Sequence, residues 1–134
     1  MRKLLVSLGV ACLALAAPAL FAVPASKAPE KITINDCASK KPAVEFPHAQ
    51  HFKTLECKTC HHTQADLKAG AATEVVGCKT CHVTPEKAET PKCSEMSSKT
   101  NPFHMVCVGC HKEELAKNAD TKAPTKCDQC HPKA

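Results

Sequence analysis

Regular alternation of hydrophobic and polar positions is confined to a few short stretches of this chain. Its longest apolar run, Leu4 to Ala17, follows the basic pair Arg2-Lys3 and leads to small residues that offer a cleavage point at Val23-Pro24-Ala25. Residues 1–25 therefore read as a secretory signal peptide, the run being too short and too alanine-rich for a stable membrane span. Cys12 invites a lipoprotein reading, but Gly9 stands where a lipidation motif wants a branched apolar residue. Ser26 to Lys31, rich in Pro, Ala and Lys, reads as a disordered lead-in. Ile32-Thr33-Ile34 and Ala43-Val44-Glu45-Phe46 then alternate with a period of two and predict a small antiparallel ribbon that needs something to pack on. Pro47 suits the first position of a short helix. Thr63 to Gly70 predicts another, closed by Gly70, and Lys112 to Asn118 predicts the strongest helix in the chain. Pro85 to Lys99 is polar and irregular.

Composition sharpens the problem. Residues 26–134 contain no Trp, no Tyr, no Arg and three Phe, at positions 46, 52 and 103. A chain this short, without long apolar periodic segments, cannot close a conventional core. Something other than side chains has to supply the apolar mass.

Four copies of one pentapeptide identify it: Cys57-Lys58-Thr59-Cys60-His61, Cys78-Lys79-Thr80-Cys81-His82, Cys107-Val108-Gly109-Cys110-His111 and Cys127-Asp128-Gln129-Cys130-His131. Each is C-x-x-C-H, the attachment signature of a c-type haem. Two thiols three residues apart lie on one side of a backbone turn and can each form a thioether to a haem vinyl group. The following His then offers its imidazole to the iron. With about 27 residues to wrap each haem, the cofactors become the core, and the haem-free chain is expected to be largely unfolded.

The histidine count agrees. Of eight histidines, His61, His82, His111 and His131 belong to motifs and His48, His51, His62 and His104 do not. Four irons with two axial imidazoles each need eight. His48 and His51, three apart on a helix, project to nearly one side and can serve two neighbouring irons, whereas His62, about 100° round from His61, must face a different iron. Met96 and Met105 are the competing ligands. Iron saturated by two imidazoles has no position for a small substrate and can only exchange electrons, at low potential.

Charge adds little about partners. Sixteen Lys face 13 Asp and Glu after the signal, and two propionates per haem turn that excess of about +3 into about −5. The lysines are scattered, with no run longer than Lys40-Lys41 and no interleaved aromatics, so a nucleic-acid surface is not indicated. Lysines beside exposed haem edges would suit acidic protein partners.

The stretch Phe46-Pro47-His48-Ala49-Gln50-His51, followed by Cys57-Lys58-Thr59-Cys60-His61-His62, resembles the start of the cytochrome c3 family, the class III tetrahaem cytochromes of sulfate- and metal-reducing bacteria. The resemblance runs over about residues 32–131. It implies a small, mostly α-helical and irregular multihaem fold, with a short N-terminal β-ribbon, a few short helices and much coil wrapped around a four-haem core in residues 26–134. It also implies the axial pairs His48 with His61, His62 with His82, His51 with His111, and His104 with His131. In function it implies a periplasmic electron carrier rather than an enzyme, taking electrons from a hydrogenase or formate dehydrogenase and passing them to a membrane-bound redox complex or terminal reductase. Two features depart from the common type. Many members use C-x-x-x-x-C-H at the second and fourth sites, and His104 here lies unusually close to Cys107, which marks a variant subgroup of the kind dedicated to a membrane complex.

Cys37 and Cys93 lie outside the motifs, and in an oxidising compartment such a pair suggests a disulfide between the ribbon and the polar loop before the third motif. Two other readings compete with the carrier. A multihaem reductase would need one iron with an open sixth position, for which His104 is the candidate. A zinc or disulfide scaffold could also use paired C-x-x-C units, but leaves the secretory signal and the spare histidines unexplained.

Overall fold

The computed structural model describes residues 23–37 and 41–132; the expected signal peptide lies almost wholly outside them. Its strands are short and come in two antiparallel pairs. Strands β2 (Ile32–Ile34) and β3 (Val44–Phe46) form the ribbon expected from the alternation, with Ile32 opposite Phe46 and Ile34 opposite Val44. The second pair was not legible in the pattern: β1 (Val23–Pro24) lies against β4 (Glu74–Val75). Helices are few: α1 (His48–Phe52), α2 (Lys79–His82), α3 (Gly109–Lys117) and α4 (Cys127–Cys130), with 3-10 turns at Ala25–Lys27 and Cys57–Thr59. Everything else described is turn or coil, apart from a π-helix over His104–Val108 that runs directly into α3.

Protein side chains make almost no core. Among the described residues the buried ones are Ala25, Leu67, Cys93 and Asn101, and no large side chain is fully enclosed. The small hydrophobic content predicts this directly, because a chain that cannot cover itself leaves Val76, Met96 and Met105 about half exposed. Cross-links compensate in part. Cys37 and Cys93 form the expected disulfide, with Cα atoms 5.5 Å apart and a sequence separation of 56.

Two expectations are corrected. Ser26 to Lys31 is not a disordered lead-in. The Ser26 N–H donates to the Ala71 carbonyl at 2.8 Å, and the Glu30 carbonyl accepts from the N–H of Ala49 in α1 at 2.9 Å. Hydrogen bonds to distant backbone, invisible in local composition, fix it. Thr63 to Gly70 is also not a helix but a series of turns. Its Gln64 is used elsewhere: the side chain donates to the Glu74 carbonyl at 2.8 Å and accepts from the Val76 N–H at 2.9 Å, bracketing β4. Gly70 does close the segment, at φ 78°, where L-residues with a Cβ are strained.

Candidate haem-binding site

Each histidine outside the motifs stands across from a motif histidine. Ring centres are 6.4 Å apart for His48 and His61, 6.1 Å for His62 and His82, 6.1 Å for His51 and His111, and 6.4 Å for His104 and His131. An imidazole nitrogen lies about 1.1 Å from its ring centre and an iron–imidazole bond is about 2 Å long, so two rings sharing one iron should stand about 6.2 Å apart. All four gaps fit an iron. They are too wide for direct packing of the rings and too narrow for an intervening side chain.

Backbone carbonyls hold the rings. His48 Nδ1 lies 2.9 Å from the Pro29 carbonyl, His51 Nδ1 3.0 Å from that of Pro47, His82 Nδ1 2.8 Å from Pro91, His111 Nδ1 2.7 Å from Pro124 and His131 Nδ1 2.6 Å from Pro42. A donated Nδ1–H leaves Nε2 as the free lone pair, fixes the ring's rotation and raises its basicity as a metal ligand. All five acceptors are proline carbonyls. Pro29, Pro42, Pro91 and Pro124 lie in coil, outside helix and sheet ladders, whereas the Pro47 carbonyl also accepts the Gln50 N–H at the start of α1. Burial pushes the His61 imidazole below the ordinary histidine range, against a hydrogen bond that the ring donates to the Val76 backbone and that favours the protonated form. A neutral ring is the form that can ligate.

Local sequence explains the aim of α1. Pro47 precedes a single turn that sends His48 and His51 to nearly one side, and Phe46 lies beside both, at ring-centre distances of 5.8 and 4.5 Å. Phe52 meets the other side of His48 edge-on at 5.2 Å. The two rings thus diverge around Phe46 towards His61 and His111. Each α1 histidine thus faces a different motif histidine.

The attachment cysteines converge. All eight are free of disulfides. A narrow cleft joins Cys60 of the first motif to Cys107 and Cys110 of the third, and a larger one of about 370 Å³ opens beside Cys57, lined by Phe52, Leu55 and Leu67 among others. Burial pushes the Cys107 thiol up to about 11, helped by the thiols of Cys60, Cys130 and Cys78, so members of all four motifs lie within electrostatic reach of it. Cys60, Cys78 and Cys130 are raised by burial as well. Free thiols crowded in this way suit thioether formation. They do not suit zinc: among the described residues no group of three or more His, Cys, Asp or Glu side chains is close enough to hold a metal ion, whereas each histidine pair needs only the four nitrogens that a porphyrin brings.

The histidine pattern points past one residue that the structure makes central. Asn101, buried at the start of the helical stretch bearing His104, precedes Pro102, and a capping residue followed by proline is a helix-start signal in sequence.

Comparisons with known proteins point to one family. The family model of the class III cytochrome C family matches residues 21–131. A cytochrome c3 from Maridesulfovibrio salexigens is 40% identical over 97 residues, and one from Desulfovibrio desulfuricans is 35% identical over 93; each match spans 69% of this chain and 81% of the relative. With four attachment motifs, matched histidine pairs and a fold built around them, the chain belongs to the class III cytochrome c family, whose members are multihaem electron carriers that bind haem c.

Proposed function

We propose that this protein is a periplasmic, low-potential carrier whose four haems are each attached through the two cysteines of a motif and ligated by two histidines: His48 and His61, His62 and His82, His51 and His111, His104 and His131. The observation that carries the reading is the set of four ring pairs at 6.1 to 6.4 Å, the spacing two imidazoles take around one iron. Haem supplies the redox chemistry. The chain's residues do the rest: the thiols fix each macrocycle, the paired rings close both faces of the iron, and the proline carbonyls hold the rings as strong donors that favour the ferric state. With so little protein between the four sites, electrons pass among them without a moving part. Donors of the hydrogenase or formate dehydrogenase type, and a membrane-bound redox complex or terminal reductase as acceptor, complete the proposed role. No helix among the described residues is long and apolar enough to cross a membrane.

Two measurements test it. Intact mass under denaturing conditions, after expression in a host with c-type maturation machinery, should equal the processed chain plus four haems, because thioethers survive unfolding. Carbon monoxide added to the reduced protein should leave the spectrum unchanged. A carbon monoxide adduct at one haem would replace the pure carrier with the reductase reading, and a mass equal to bare polypeptide would remove the haem reading altogether.

A further inference from the structure

Asn101 is 6% exposed, and every hydrogen-bonding group it owns is used. Its Oδ1 accepts from the backbone N–H of Phe103 at 2.9 Å and of His104 at 3.1 Å. Its Nδ2 donates to the carbonyls of Cys93 at 2.7 Å and Glu95 at 2.8 Å. Its own N–H donates to Ser97 and its carbonyl accepts from Met105. A buried amide satisfied in this way holds its neighbours in one arrangement, because losing any partner leaves a polar group unpaired.

His104 needs such a hold. No hydrogen-bond acceptor among the described residues reaches its ring, whereas five other paired histidines rest on proline carbonyls. Its direction is therefore set by backbone alone, and the backbone there is unusual. In an uninterrupted α-helix, residues seven apart fall within about 20° of one another, so His104 and His111 would share a face. They face different partners, His131 and His51. The π-helix over His104–Val108 adds to their divergence, since each i→i+5 residue turns the chain less than an α-helical one and the difference accumulates along the segment. A π-helix is the less stable form and needs its start fixed. Asn101 fixes it, by capping the N–H of His104 itself, and the two donations to Cys93 and Glu95 tie that start to the disulfide loop.

We propose that Asn101 is a positioning residue that holds His104 on the iron shared with His131 by pinning the first turn of the π-helical segment. The proposal rests on the reading of His104 and His131 as one axial pair. It adds a second role for the Cys37–Cys93 loop, which reaches His82 through the Cys93 N–H and the His82 carbonyl at 2.9 Å, and reaches His104 through Asn101.

The test compares Asn101→Ala, Asn101→Ser and His104→Ala in the four-haem protein, reading carbon monoxide bound per chain after reduction and high-spin signal in the ferric state. Asn101→Ala should bind carbon monoxide at about one haem per chain, as His104→Ala should, with the opened site refilled by added imidazole. Asn101→Ser keeps a capping oxygen and should stay closed. Carbon monoxide binding in His104→Ala but not in Asn101→Ala would overturn the proposal and leave the ligand assignment standing. Absence of binding in both would remove the ligand assignment and the proposal with it. Should Asn101→Ala not mature with four haems, the potentials of Asn101→Ser decide, because serine keeps the cap, and so the closed site, but loses both donations that tie it to Cys93 and Glu95: an upward shift confined to the haem of His131 supports the role, and no shift or an equal shift of all four overturns it.

Discussion

In α1 the rings of His48 and His51 donate to the carbonyls of Pro29 and Pro47 and flank Phe46, so both are held by their side chains, and the backbone beneath them is one short helical turn. In the segment that leads into α3, His104 has a ring that no acceptor among the described residues reaches, and a backbone held by Asn101 and wound as a π-helix. The same task, holding an imidazole across from its partner ring, is met by ring hydrogen bonds in one region and by main-chain geometry in the other. The difference teaches that a chain with almost no core can still fix a ligand, provided that either the ring or the backbone has its partners satisfied. The two solutions should fail differently.

The largest effect tests whether either arrangement exists without haem. Replacing the eight motif cysteines by serine should leave a chain with a coil-like far-ultraviolet circular dichroism spectrum and no cooperative thermal transition, because the four residues buried among those described cannot offset the entropy of ordering about a hundred. A folded haem-free chain would mean that the carbonyl and capping contacts suffice alone, and the contrast between the regions would lose its basis.

Removing the disulfide comes next. Closing a loop across the 56-residue separation of Cys37 and Cys93 stabilises by up to about 4 kcal/mol in the chain-entropy model. The loss in Cys37→Ser/Cys93→Ser should fall unevenly. Pro91, Cys93 and Asn101 connect to His82 and His104, so the second and fourth haems should lose low-spin character at lower denaturant concentration than the first and third. Uniform loss across all four would show that the loop acts on global stability only.

Phe46→Ala probes the other region. Phe46 is partly buried between the two α1 histidines, and its removal should cost about 1–2 kcal/mol and perturb the first and third haems together. Met105→Ala, beside His104 but 50% exposed, should cost little. Resonances of individual haems in NMR spectra distinguish the two.

What sequence made legible follows from this physics. The motifs, the ribbon of β2 and β3, the helix from Lys112 and the pairing of Cys37 with Cys93 depend on residue type and short-range spacing. His104 opposite His131 came from resemblance rather than local pattern. Hidden were the features that depend on where distant backbone comes to rest. The acceptor for His131 is the carbonyl of Pro42, 89 residues away, and that for His48 lies in a lead-in whose composition reads as disorder. Thr63–Gly70 has helical composition, yet Gln64 serves β4 instead, a tertiary use that overrides propensity. The π-helix leaves no compositional mark.

The smallest effect concerns the N-terminus. Val23 and Pro24 pair with Val75 and Glu74, the Ala25 N–H donates to the Thr73 carbonyl at 3.0 Å, and Ala25 is 7% exposed. These contacts steady β4, which Gln64 brackets beside His61 and whose neighbour Val76 reaches the His61 ring. Exposed hydrogen bonds contribute about 0.5–1.5 kcal/mol each, so a chain beginning at Ser26 should be less stable than one beginning at Val23 by about 1 kcal/mol. The first haem should respond before the others, because His61 is the proposed ligand nearest the loss. Signal removal after Ala22 would keep this bridge and removal after Ala25 would delete it, and the mass of the exported protein separates the two by the residues Val-Pro-Ala. If the shorter chain melts at the same temperature with the first haem's potential unchanged, β1 has no part in holding His61, and that ligand depends on its motif and on Gln64 alone.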